Sequence, residues 1–163
     1  MTFYKIILCI LFTGLVMSSC GNSGADNKNT TQKEVPNQTA AKFPELPIEI
    51  IEQLKIECDL TDFIFFDLPI SMSQDNQSAI QQVIGFISPG QATYSDDCMA
   101  IARVFFAGSG ESLLEADLFF GPGCQYFLFY DKGKPMWANK INTAGISFFQ
   151  QVISSAQTAP KGQ

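Results

Sequence analysis

The 163-residue sequence contains no histidine. That absence excludes Ser-His-Asp and Cys-His nucleophile systems, histidine general bases and histidine-containing zinc sites together. Charge is scarce as well: 16% of residues are Asp, Glu, Lys or Arg, against about a quarter in a typical soluble chain. Ten basic residues face sixteen acidic ones, for a net charge of −6, which argues against nucleic acid or any other polyanion as a partner. The shortage is uneven. Residues 45–97 carry ten acids and a single base, Lys55, whereas residues 98–163 carry four acids and five bases. Any catalysis would therefore fall to carboxylates, lysine, tyrosine or a thiol. Apolar residues, by contrast, are plentiful at 46%, with 15 Phe, enough for the core of one domain.

Lys5 is the only charged residue before Asp26. Between them, residues 6–16 (IILCILFTGLV) form an apolar run of 11. As a helix that run rises about 16 Å, well short of the roughly 30 Å of bilayer hydrocarbon. A basic start, a short apolar stretch and small residues before a break predict a secretory signal peptide. Val16-Met17-Ser18-Ser19-Cys20 resembles the bacterial lipobox, in which small residues precede a cysteine that is lipidated and becomes the mature N-terminus; Met17 stands where Leu, Val or Ile is usual. The resemblance implies a bacterial lipoprotein. It implies a signal peptide over 1–19, and a diacylglyceryl thioether with an amide-linked palmitate-type chain on Cys20. It further implies a place outside the cytoplasm, on the cell membrane or outer membrane of a Gram-negative envelope. At about 0.8 kcal/mol per buried methylene, such chains anchor essentially irreversibly.

Residues 20–43 are Asn, Thr, Gln, Gly and Ser with scattered charge and no apolar period. They predict a flexible linker reaching roughly 25–30 Å. A single domain is expected over 44–158, followed by a disordered tail over 159–163. Within the domain, Leu46, Ile50 and Leu54 recur at helical spacing, so a helix is expected to about Glu57. The stretch CDLTDFIFFDLP (58–69) suits a helix by its Asp spacing and a strand by its aromatic run; helix is preferred. A further helix is expected over about 74–87, stopped by Ser88-Pro89-Gly90. After Cys98 the period changes to two, and residues 99–107, 112–120, 124–131 and 135–141 read as four strands joined by glycine turns. A last helix begins at Asn142 or Thr143. The expected fold is α+β: a four-stranded antiparallel meander with about three N-terminal helices and one C-terminal helix packed on one face.

On the first strand Ala102, Val104 and Phe106 oppose Ile101, Arg103 and Phe105; on the second Leu114, Ala116, Leu118 and Phe120 oppose Leu113, Glu115, Asp117 and Phe119. The wholly apolar set should carry the helices. The other face then presents aromatics around Arg103, Glu115 and Asp117, the composition of an interface. Two carboxylates at i, i+2 on a strand lie about 7 Å apart, a spacing that also suits acid/base work on a glycosidic bond. The bland reading is that Arg103 pairs with one of them across the strands.

Apart from Cys9 and Cys20 the chain holds Cys58, Cys98 and Cys124, with spacings of 40 and 26 that match no metal motif. In an oxidising compartment two should pair. Cys98 and Cys124 both sit at strand mouths, where loops can converge; Cys58 paired to either is the rival. Nothing calls for a cofactor or a metal. The leading expectation is therefore a non-enzymatic binding or adaptor lipoprotein, tied to the membrane by its lipid, with an envelope protein or small ligand on the face of Arg103, Phe105, Glu115, Asp117 and Phe119. A periplasmic inhibitor or immunity-type protein using the acidic half is the alternative. A carboxylate hydrolase working through Glu115 and Asp117 comes third.

Overall fold

A computed structural model describes residues 42–158. Cys20, the signal segment, most of the expected linker and the tail lie outside the described residues. The chain runs α1 (Ile48–Glu57), β1 (Leu60–Phe65), β2 (Ser71–Gln74), α2 (Gln77–Gly85), β3 (Ile87–Gln91), β4 (Ala100–Gly108), β5 (Glu111–Gly121), β6 (Cys124–Asp131), β7 (Lys134–Ile141) and α3 (Thr143–Thr158). The strands form one seven-stranded sheet in the order β2-β1-β4-β5-β6-β7-β3, every neighbour antiparallel.

The sheet overturns the four-stranded, four-helix expectation: among the described residues it has seven strands, and three helices accompany it. The four strands read from alternation are the meander β4–β7. Its hairpins turn where the backbone demands glycine or tolerates φ > 0. Ser109-Gly110 and Lys132-Gly133 have positive φ at both central residues, as tight type I′ hairpins require, and Pro122-Gly123 places its glycine at φ 77°.

The centre of the segment 58–69 is the strand β1, not a helix. Its alternation puts Thr61, Phe63 and Phe65 inward and Asp62 and Ile64 outward, and six residues pair with β4 from Leu60↔Ala107 to Phe65↔Ala102. Long-range pairing overrides the local Asp spacing. Asp59, read as part of a helix flank, instead accepts the Ser109 N–H across the β4–β5 turn at 2.8 Å.

Ser71–Gln74, at the expected start of the helix over about 74–87, instead adds β2 outside β1. The helix cap is Asn76, whose Oδ1 accepts the N–H of Ser78 at 2.9 Å and of Ala79 at 3.4 Å. Ser88-Pro89-Gly90 lies in β3 at the other edge, where a proline without an N–H is tolerated.

Cross-strand rows fix which side chains share a face. Phe63, Val104, Ala116, Phe129 and Trp137 form one row on the inner side; Ile64, Arg103, Asp117, Leu128 and Ala138 form one on the outer side. The inner side builds the main core with all three helices, including Leu54 of α1, Ile80, Val83 and Ile84 of α2, and Phe149 of α3. Phe149 is fully buried, and its ring lies between 5.3 and 6.1 Å from those of Phe63, Phe86, Phe120, Phe127 and Phe148. Asn142 caps α3 by accepting the Gly145 N–H at 2.9 Å and ties that end to α2 through its Nδ2 donating to the Gly85 carbonyl at 2.7 Å.

A smaller core lies on the outer side: Ala92, Phe119, Tyr126, Leu128 and Ala138, with Phe43, Tyr94 and Cys98 packed against it. Phe119 stacks on Tyr126 at 4.5 Å, and Tyr94 meets Phe43 edge-on at 5.2 Å. Truncating Phe149 to Ala should cost about 3–5 kcal/mol, because no neighbouring ring can collapse into the space it leaves; urea unfolding measures it as a lowered midpoint.

Candidate functional site

The loop between β3 and β4 covers only part of the outer face. Cys98 lies at its end, off the sheet, and bonds to Cys124 at the mouth of β6 with a Cα–Cα distance of 5.8 Å. In a strict meander these positions would stand two strand spacings apart, about 9.6 Å. The loop closes that gap by lying over β5. The rival Cys58 is buried and free, its thiol donating to the Leu60 carbonyl at 3.2 Å and pushed up in pKa chiefly by burial. A bond closing a loop of 26 residues contributes about 3.5 kcal/mol in the chain-entropy account. It clamps Tyr94 and Ala92 onto Phe119 and Tyr126.

Beyond the loop the outer face is open, and a polar network occupies its middle. Arg103 and Asp117 are direct cross-strand partners, as are Glu115 and Tyr130. The Arg103 Nε donates to Asp117 Oδ1 at 2.6 Å, the Tyr130 hydroxyl donates to Asp117 Oδ2 at 2.6 Å, and Arg103 Nη1 lies 3.5 Å from Glu115 Oε2. The guanidinium also sits over the Tyr130 ring, 4.7 Å from its centroid. Asp117 is mostly buried with both oxygens satisfied. Its hydrogen bond and charge push the Arg103 guanidinium up in pKa against the opposing effect of burial. Tyr130 is pushed up to about 12, first by burial, then by the bond it donates to Asp117 and by that carboxylate's charge.

Around the network stand exposed apolar groups. Ile64 on β1 is 50% exposed, Phe66 just past it 53%, and Met136 on β7 41%; Phe105 is half-buried. Of the five residues expected on this face, Arg103, Glu115 and Asp117 converge, and Phe105 stands opposite Asp62 and Glu115 in the next row. Phe119 does not join them: it is 6% exposed, covered by the loop, and is no part of an open surface. Tyr130, Ile64 and Phe66 were missed. Tyr130 was visible in CQYFLFYD, where Tyr126, Leu128 and Tyr130 alternate with Phe127 and Phe129. Ile64 and Phe66 were hidden by the helical reading of their segment.

The two carboxylates share one guanidinium, and Asp117 is also bound by a phenol. The arrangement neutralises charge; it does not set an acid and a base on either side of a bond. A cleft of about 380 Å³ at the hairpin end, between Gln53 of α1 and Trp137, Lys132 and Glu115, borders this network. Among the described residues no three acidic or cysteine side chains gather as metal ligands. The chain matches no known family model, and neither a curated protein nor a solved structure shows significant similarity to it.

The raised Tyr130 pKa has a sign for stability. Between its ordinary value of 10 and about 12 the folded chain keeps a proton that the unfolded chain has lost. Its contribution is therefore whole below pH 10 and is lost as pH climbs through about 12. Tyrosinate absorbance, read as the difference from Tyr130→Phe, should show this late titration, and Asp117→Asn should bring it back toward 10.

Proposed function

We propose that this chain is a membrane-anchored, extracytoplasmic binding module, held by lipid on Cys20, that takes an envelope protein on the open part of its outer sheet face. The observation that carries the reading is the exposure of Ile64, directly opposite Arg103 of the Arg103–Asp117–Tyr130 network, with Phe66 just beyond it and half-buried Phe105 in the neighbouring row. Apolar anchors around a partly buried, already satisfied polar centre are what a protein interface needs: the anchors supply affinity, and the fixed charges supply register. The disulfide supports an oxidising location. The lipobox resemblance supports the anchor.

A second reading, an inhibitor or immunity-type protein for a cationic target, draws support from Asp62. It lies on this same open face opposite Phe105 and adds its charge beside Glu115.

Two measurements test the proposal. A photo-crosslinking side chain at Ile64 in intact cells should yield an adduct of defined mass that the same probe at Ile56, exposed on α1, does not. Ile64→Ser with Phe66→Ser should weaken capture of that adduct partner at least about tenfold, the worth of one modest hot spot, at an unchanged melting midpoint. Equal adducts from both positions, or undiminished capture, would overturn the binding face; capture that collapses with salt would select the cationic target. Separately, Cys20→Ser should abolish labelled-palmitate incorporation and release the protein from membranes. Label retained in that variant would overturn the anchor.

A further inference from the structure

The two edges of the sheet are unlike. The β3 edge is closed: Pro89 has no N–H, Gly90 turns through φ 103° and donates to Glu45 Oε2 at 2.7 Å, and the backbone of Pro44 reaches in to accept the Ala138 N–H at 2.8 Å. The β2 edge has none of this. Among the described residues no strand lies outside Ser71–Gln74, and every second residue of that strand turns its N–H and C=O away from β1. Natural edges are protected by shortness, Lys, Pro, bulges or a cover; at four residues SMSQ is short, but among the described residues it carries none of the others.

Charge sharpens the contrast. Residues 68–74 contain no Asp, Glu, Lys or Arg, and neither do residues 141–160, which include all of α3. These two sequence-distant stretches adjoin: Ile70 and Met72 face Phe148 and Val152 across an apolar groove of about 560 Å³, with the small Ser155 and Ala156 on its α3 rim. A chain with a net charge of −6 thus holds one continuous surface without charge, on which an unpaired strand edge and an apolar groove coincide.

We infer that this surface is where a second copy of the chain docks, edge to edge through β2. The choice of occupant follows from charge and symmetry. Two acidic copies repel wherever their charged surfaces meet, and the β2–α3 surface is where they can approach without that cost. Antiparallel edge pairing is self-complementary, because a two-fold axis perpendicular to the sheet gives each copy the same donors and acceptors. With the axis through Met72, the two Met72 side chains meet on the inner side, where the two grooves merge. Ser71 falls opposite Ser73 on the outer side, a favourable hydroxyl pair. The acids that flank β2 are kept apart: Asp75 falls opposite Pro69 and Asp67 beyond it opposite Gln77, never acid to acid. The product is one continuous fourteen-stranded sheet built from two sheets of seven, with both outer faces on the same side.

The full-length chain in its membrane tests this. Met72→Cys should crosslink to itself on mild oxidation and give a band at twice the chain mass, since directly opposed residues of paired strands lie within disulfide reach; Cys58 is buried and does not compete. Ile56→Cys, on the exposed flank of α1, serves as the collision control and should stay monomeric. Met72→Lys, which sets two like charges on the axis, should lower the dimer fraction at least tenfold in a native-mass measurement while the circular dichroism spectrum stays that of the folded chain. Crosslinking of Met72→Cys no greater than that of Ile56→Cys, a bond to a protein of different mass, or a dimer fraction untouched by Met72→Lys would each overturn the inference.

Discussion

A sheet with apolar side chains on both faces has to be covered twice, and the three helices among the described residues cover it once. That constraint organises the molecule. The inner face takes all three helices and closes around Phe149, whose ring touches aromatic groups from β1, β5 and β6, from Phe86 just past α2, and from α3 itself. The outer face is left with a loop and the residues just ahead of α1. These bury Phe119, Tyr126, Leu128 and Ala138 and leave the β1 side of the face open. The disulfide belongs to this economy: a seven-residue strap has little area with which to hold itself down, and a covalent bond at its end offsets the entropy of ordering it.

What remains uncovered is kept soluble by polar chemistry. Arg103 and Asp117 lie in the same outer row as Ile64 and Leu128, so the row is interrupted by an ion pair where an apolar stripe would otherwise run across the sheet. A half-exposed pair of this kind contributes little to stability by itself. Its value lies in geometry. Stacked on Tyr130 and shared between two carboxylates, the guanidinium has one place to sit, which fixes the pattern of charge any partner would meet. The same face carries its apolar groups at the margin, on β1 and β7.

Sequence reading succeeded where one local rule governed. The period-two alternation of β4 to β7 and their glycine turns declare themselves, and so does the amphipathic spacing of α1. The disulfide was the favoured of the pairings weighed, because two cysteines stood at strand mouths. It failed where tertiary pairing decides. Asp59 and Asp62 stand at helical spacing, yet β4 offers residues 60–65 a six-residue ladder that a helix would leave unpaired. The short strands β2 and β3, with serine, proline and glycine, have no local signal at all; their neighbours make them strands. The candidate site shows the same division. Arg103, Glu115 and Asp117 follow from alternation along two strands. The burial of Phe119 comes from a loop that no alternation describes, and the third arm of the network, Tyr130, needs the register between β5 and β6 to bring it near Asp117.

The chain ahead of α1 enters the domain at the β7–β3 end of the sheet and is fastened there at several points in a row. The Gln91 side chain donates to the Phe43 carbonyl, Pro44 accepts from Ala138, Glu45 accepts from Gly90, and the Leu46 N–H donates to the buried Asn139 at 2.7 Å. Asn139 in turn donates to Ser88 on β3 at 3.1 Å. Mechanically, this is a strain relief. A pull on the chain ahead of Lys42 is delivered first to two paired strands and a buried amide, and only after those yield does the load reach α1 and the helical side of the core. A drag on one end of the protein is thus borne at a sheet edge, away from the open face and away from β2.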